Sequence, residues 1–195
     1  MVERKNILLL SNSEYGQANV MLAVVHELVL RREFNVHIAS FPVLEQRIND
    51  VYAALTSKVV SSLTFHALPG QSLTEAIASR GDEFGTGHRP VAQGSIKSYD
   101  AIQNIVTPWD GPEYLKGYDR CLELFETLDP IVVIVDPVYS QGLDACRRTS
   151  RRHIVLSPVS LKEIAIHVQP RLAFLWKYPA YVSSKYLMKV LLIYA

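Results

Sequence analysis

Short unbroken apolar runs alternate with stretches of helical period along most of this chain, and that rhythm limits its fold more than any other feature. Ile7–Leu10 is the first run. Ala18–Arg32 follows it, with Met21, Val24, Val25 and Leu28 at i, i+3, i+4, i+7, the stripe of a helix packed on one side. Further strands are expected at Val36–Ser40, Leu63–Ala67, Ile131–Val135 and His153–Leu156. Helices are expected at Val43–Leu55, with Leu44, Ile48, Val51 and Leu55 on one face, and from Ser140 to Thr149. Pro112 opens another that runs to Thr127, since proline suits the first helical position. Continuous apolar strands separated by helices predict a parallel sheet covered on both faces. The expected fold is α/β, a doubly wound, Rossmann-like sheet.

Five strands wound both ways give the order 3-2-1-4-5, which reverses between strands one and four. Ligands of such sheets bind beyond the carboxyl ends of the strands at that reversal. The loop after strand one, Ser11–Gln17, therefore faces the loop that opens with Asp136, about 120 positions away. Leu68–Asp110 breaks the rhythm and holds Gly81, Gly85, Gly87 and Gly94. Short helices are expected there at Leu73–Ser79 and Ile96–Ile105, and segments of this kind often line binding sites. From Gln169 the rhythm stops, and Leu172–Ala195 mixes Phe174, Trp176 and four tyrosines with lysines. The expected division is a Rossmann-like domain over 1–168 and an apolar tail over 169–195.

Composition narrows the function. The chain is 49% hydrophobic with a net charge of +1, so no broad basic surface is available and nucleic acid is excluded as the expected partner. Arg147, Arg148, Arg151 and Arg152 form the one dense basic run; it reads as a solvated helix end, with no glycine-rich loop beside it to suggest phosphate binding. Cys121 and Cys146 have no metal or redox spacing and read as buried thiols of a reducing compartment. No metal and no tightly bound cofactor is expected. The four-residue apolar run near the N-terminus is too short for a signal peptide, so the expected location is cytoplasmic. The tail is too interrupted to span a bilayer; a partner domain or a membrane surface would suit it.

Gly16-Gln17-Ala18-Asn19-Val20 resembles the first active-site loop of the UDP-glycosyltransferases, which usually reads Gly-His-x-Asn-Pro. Asn6–Leu28 as a whole resembles that family's opening strand, loop and helix, especially in fungal members. Asp129–Pro137 with Gly142, Asp144 and Ala145 resembles its fourth strand and next helix. Leu156-Ser157-Pro158 and Leu175-Trp176-Lys177-Tyr178-Pro179 also resemble fungal segments.

The resemblance implies the N-terminal, acceptor-binding half of a GT-B glycosyltransferase. It implies an inverting transfer from a UDP-sugar co-substrate to a small hydrophobic hydroxylated acceptor, by analogy in secondary metabolism or detoxification. In the family a histidine of the first loop takes the acceptor's proton, and an aspartate after the fourth strand orients it. Gln17 stands at the histidine position and Asp136 at the aspartate position. A carboxamide has no usable basic pKa, so Gln17 cannot accept the proton, although it can hydrogen-bond a hydroxyl. Glu14, Gly16, His66 and His88 are the further acceptor-binding candidates, whereas His26 reads as a packed or solvated helix residue. The family's donor site lies in the C-terminal half, so the 195 residues alone are expected not to transfer sugar. Two readings besides an acceptor half stay open: a non-catalytic remnant or binding module, and a flavodoxin-like nucleotide binder, against which the missing phosphate loop counts.

Overall fold

The computed structural model describes residues 4–55, 62–80 and 108–158. Nearly all of these fall in one compact unit, made by Met1–Ala76 and Trp109–Pro158. In chain order the elements are β1 (Lys5–Leu10), α1 (Tyr15–Arg31), β2 (Phe34–Ser40), a 3-10 turn (Pro42–Leu44), α2 (Glu45–Ala54), β3 (Leu63–Ala67), α3 (Leu73–Ser79), α4 (Gly111–Leu128), β4 (Val132–Val135), α5 (Ser140–Arg148) and β5 (His153–Val155). The five strands pair in the order β3-β2-β1-β4-β5, all parallel, as the sequence rhythm predicts.

Alternation along the strands sets the two faces. Ile7 and Leu9 of β1, Val36 and Ile38 of β2, and Leu63 of β3 pack with Met21, Leu22, Val25 and Val29 of α1 and with Leu44 and Ile48. Leu8, Leu10, Val133 and Val135 are buried on the other face, the side of α4 and α5. There α5 comes very close: a Cβ added at Gly142 would lie 2.7 Å from Tyr139 Cδ1 and 2.9 Å from Leu10 Cδ1. Only glycine fits that approach without moving its neighbours. Cys121 and Cys146 are free and buried, as expected.

Several bounds differ from the sequence reading. The first helix begins at Tyr15 rather than Ala18, so Gly16 and Gln17 lie in its first turn and not in a loop. Apolar periodicity locates a helix by its packed face, and this first turn has no packed face to report: Tyr15 and Gly16 are exposed. The helix expected at Val43–Leu55 is a 3-10 turn followed by α2, because Pro42 tightens the first turn. Asp110 caps α4 by accepting the Glu113 N–H at 2.8 Å, so the helix opens at Gly111, one residue ahead of the Pro112 signal. The outermost strand departs furthest: Ile154 and Val155 are 53% and 48% exposed, so β5 is not a doubly covered strand. The helix expected at Ile96–Ile105, the glycines of 81–94, His88 and the tail over 169–195 lie outside the described residues. Among the described residues no helix is long and apolar enough to cross a membrane.

Candidate active site

The strand ends place the site. Asp136 follows β4 directly and its N–H donates to the Leu10 carbonyl at 2.9 Å, so the residue is fixed beside the end of β1. Beyond Leu10 the chain enters Ser11-Asn12-Ser13-Glu14 and then α1. Asn12 makes the turn: its Oδ1 accepts the Glu14 N–H at 2.9 Å, the Asx pattern that lets a short loop lead into a helix. Ser13 between them has φ +72°, a strained left-handed conformation for a residue with a side chain. Ser11, Asn12, Ser13, Ser40 and Asp136 are all buried at this edge, and Ser11 Oγ and Ser13 Oγ have no hydrogen-bond partner among the described residues.

The switch-point inference is met here. The inward atom of the Gln17 carboxamide lies 2.8 Å from both carboxylate oxygens of Asp136. It also lies 2.7 Å from Asn12 Nδ2. Asp136 Oδ1 accepts the Val138 N–H at 2.9 Å, and Oδ2 accepts the Asn12 N–H at 3.4 Å. Burial pushes the Asp136 carboxyl up to about 6; the two backbone donors pull it back and the Glu14 charge pushes it further up. Gln17 is half-buried and Gly16 is exposed, and a Cβ at Gly16 would meet nothing within 4 Å. Among the described residues, nothing covers this turn of α1 at Gly16.

The other candidates are placed differently. Glu14 Oε1 accepts from Thr74 Oγ1 at 2.6 Å and from the Thr74 N–H at 3.2 Å, which ties the loop to the start of α3. The start of α3 is itself capped by the reciprocal Ser72–Glu75 pair. His66 lies within β3, level with Ala39, and its Nε2 is 3.0 Å from His37 Nδ1. Burial, His37 and Arg120 push His66 down to about 4. β3 stands three strand spacings from β4, roughly 14 Å, so His66 does not join Gln17 and Asp136. The arginine run divides: Arg147 and Arg148 end α5, while Arg151 pairs with Asp129 at 2.7 Å and donates to the Phe125 carbonyl at 3.0 Å. Arg148, Arg151 and Arg152 border a groove of about 740 Å³ with Ile131 and Pro130, at the end of β4 opposite the site.

Sequence reasoning missed Asn12, which touches Gln17, Asp136 and the Glu14 backbone at once. An Asn two residues before a helix N-cap and two after a strand is a turn signal, and it was available to find it.

Most of the chain lies along solved GT-B glycosyltransferases, and the part of them it matches is the N-terminal half. In fold class it is that half. It is 30% identical over 191 residues to the glycosyltransferase sdnJ of Sordaria araneosa, a match over 93% of this chain and 37% of that protein. Among solved structures, the Streptomyces sp. SF2575 glycosyltransferase SsfS6, complexed with thymidine diphosphate, is similar with a TM-score of 0.52 and 16% identity, over 79% of this chain and 38% of that one. The calicheamicin glycosyltransferase CalG4 is similar with a TM-score of 0.52 and 14% identity, over 97% of this chain and 41% of that one. No family model matches the chain. The chain thus spans well under half the length of the relatives it matches.

Proposed function

We propose that this chain is the acceptor-binding half of an inverting glycosyltransferase that moves a sugar from a nucleotide-sugar, of the UDP-sugar class, to a small hydrophobic hydroxylated acceptor. The contact between Gln17 and Asp136 carries this reading, because it brings together the first turn of α1 and the loop after β4 across the sheet's reversal, the place where such sheets bind ligands. Gln17 holds the acceptor hydroxyl and Asp136 holds Gln17. The open approach at Gly16 admits the acceptor, and Glu14 steadies the loop through Thr74. The sugar is held by a donor half of the kind the longer relatives have. With a carboxamide in place of a base, the acceptor's proton leaves late, to solvent or to the departing nucleoside diphosphate, and the rate falls below that of a histidine enzyme by on the order of 10²–10⁴.

The test is sugar transfer from UDP-glucose to a panel of hydrophobic alcohols and phenols, with the chain joined to the nucleotide-sugar-binding half of a relative. Product with inverted anomeric configuration supports the reading. Acceptor binding without product from any donor sugar leaves a binding module instead.

A further inference from the structure

We propose that Asn12 is a positioning residue that sets which end of the Gln17 carboxamide faces the acceptor, in competition with the ionised carboxylate of Asp136. This rests on the reading of the same site as an acceptor site.

Asn12 is fully buried and its Oδ1 is committed to the Glu14 N–H at 2.9 Å. The end of Asn12 turned towards Gln17 is therefore Nδ2, a donor, at 2.7 Å. The same inward atom of Gln17 is 2.8 Å from both Asp136 oxygens. A carboxamide has one accepting end and one donating end of nearly the same size. With Oε1 inward, Gln17 accepts from Asn12, and its contact with Asp136 is a hydrogen bond only when Asp136 carries a proton. With Nε2 inward, Gln17 donates to the Asp136 carboxylate, loses the 2.7 Å bond from Asn12 Nδ2 and keeps towards Asn12 only a long 3.3 Å contact with an Oδ1 already held by the Glu14 N–H. The two arrangements fill the same space and differ by one proton.

They present opposite ends to the crevice. A hydroxyl that attacks a sugar turns its lone pair to the anomeric carbon and its hydrogen to the enzyme. Only an outward Oε1 receives that hydrogen. The productive arrangement thus has Asp136 ionised and Nε2 inward, and Asn12 favours the other one. Among the described residues the charge bearing on Asp136 is that of Glu14 from the β1–α1 loop, and the backbone N–H groups of Val138 and Asn12 donate to it. Burial brings its titration to about 6, close enough to neutral pH for both arrangements to be populated.

The experiment follows the Asp136 carboxyl carbon and the Gln17 side-chain amide of the full chain by NMR from pH 4 to 8. The two signals are expected to titrate with one midpoint. Asn12→Ser keeps an oxygen for the Glu14 N–H and removes the donor to Gln17. Since that donor bond exists only in the protonated arrangement, the shared midpoint is expected to fall by about half a unit to one unit. Gln17→Met removes the donor to the carboxylate and is expected to raise the Asp136 midpoint, which provides a second reading if Asn12→Ser does not fold. A Gln17 amide that ignores pH, an Asn12→Ser midpoint that stays or rises, or a Gln17→Met midpoint that stays or falls overturns the proposal. The titration needs no donor, acceptor or turnover, so its failure overturns the role of Asn12 alone. Failure of sugar transfer overturns the reading above it.

Discussion

Two polar pairs meet across neighbouring elements of this sheet, and they are built in opposite ways. Gln17 and Asp136 meet beyond the strand ends, in a turn with a strained Ser13 and two hydroxyls without partners among the described residues. His37 and His66 meet within the strands, on the face opposite Ile38 and Phe65, and satisfy each other with one hydrogen bond. Burial acts on both and moves them in opposite directions, Asp136 up to about 6 and His66 down to about 4. The first pair concentrates unsatisfied and strained groups at the proposed acceptor site, and the second is closed on itself. Buried polar groups near a strand edge are therefore not equal as site candidates; unfinished bonding separates them.

Asp136→Asn gives the largest expected effect. Transfer by the chain joined to a donor half falls by about 100-fold, because Gln17 loses the carboxylate that holds its Nε2 inward and its Oε1 towards the acceptor. Stability moves the other way. The raised carboxyl contributes stability that is fully present below about pH 4 and lost as pH rises through about 6. The neutral amide avoids that loss, so at pH 8 urea denaturation is expected to show Asp136→Asn more stable by about 1–2 kcal/mol, with the difference gone at pH 4. A loss of both activity and stability would make Asp136 structural.

Gly142→Ala follows in size. The added methyl meets Tyr139 and Leu10, and overpacking outweighs the gain in helix preference, so urea denaturation is expected to show a loss of about 1–2 kcal/mol. His66→Phe sharpens the contrast between the pairs. A lowered histidine contributes stability present above about pH 6.5 and lost as pH falls through about 4, the reverse of Asp136 over the same window. The substitution is expected to flatten the fall in stability between those values while leaving transfer at pH 8 unchanged. Reduced transfer at pH 8 would bring His66 into the acceptor site. Gly16→Ala, at an open and exposed helical position, is expected to stabilise the chain by about 0.5–1 kcal/mol. A matching loss of acceptor binding would mean that the acceptor touches the α1 backbone there.

The strand order was legible in the sequence because Ile7–Leu10 and Ile131–Val135 are unbroken apolar runs, and Val36–Ser40 departs from one only at His37 and Ser40, the pattern that doubly covered strands require. The meeting of Gln17 with Asp136 followed from that order and the switch-point rule. What stayed hidden depended on contacts that no local pattern records. Glu14 reads as a solvated loop carboxylate until Thr74, 60 positions away, is found beneath it. Asn12 is one more polar loop residue until its two amide ends are traced to different partners. His66 reads as a crevice residue because its strand ends near the crevice, and pairing with His37 shows where its ring is held. The exposed β5 shows the limit of the rhythm itself, since His153–Leu156 has the same apolar run as a covered strand.

The most direct measurement is a double-mutant cycle on sugar transfer by the chain joined to a donor half, with Gln17→His and Asp136→Asn made singly and together. If Gln17 and Asp136 form the reaction centre, Gln17→His raises the rate by on the order of 10²–10⁴ with Asp136 present, and most of that gain disappears with Asp136→Asn. A histidine that raises nothing, or raises the rate equally in both backgrounds, would contradict it.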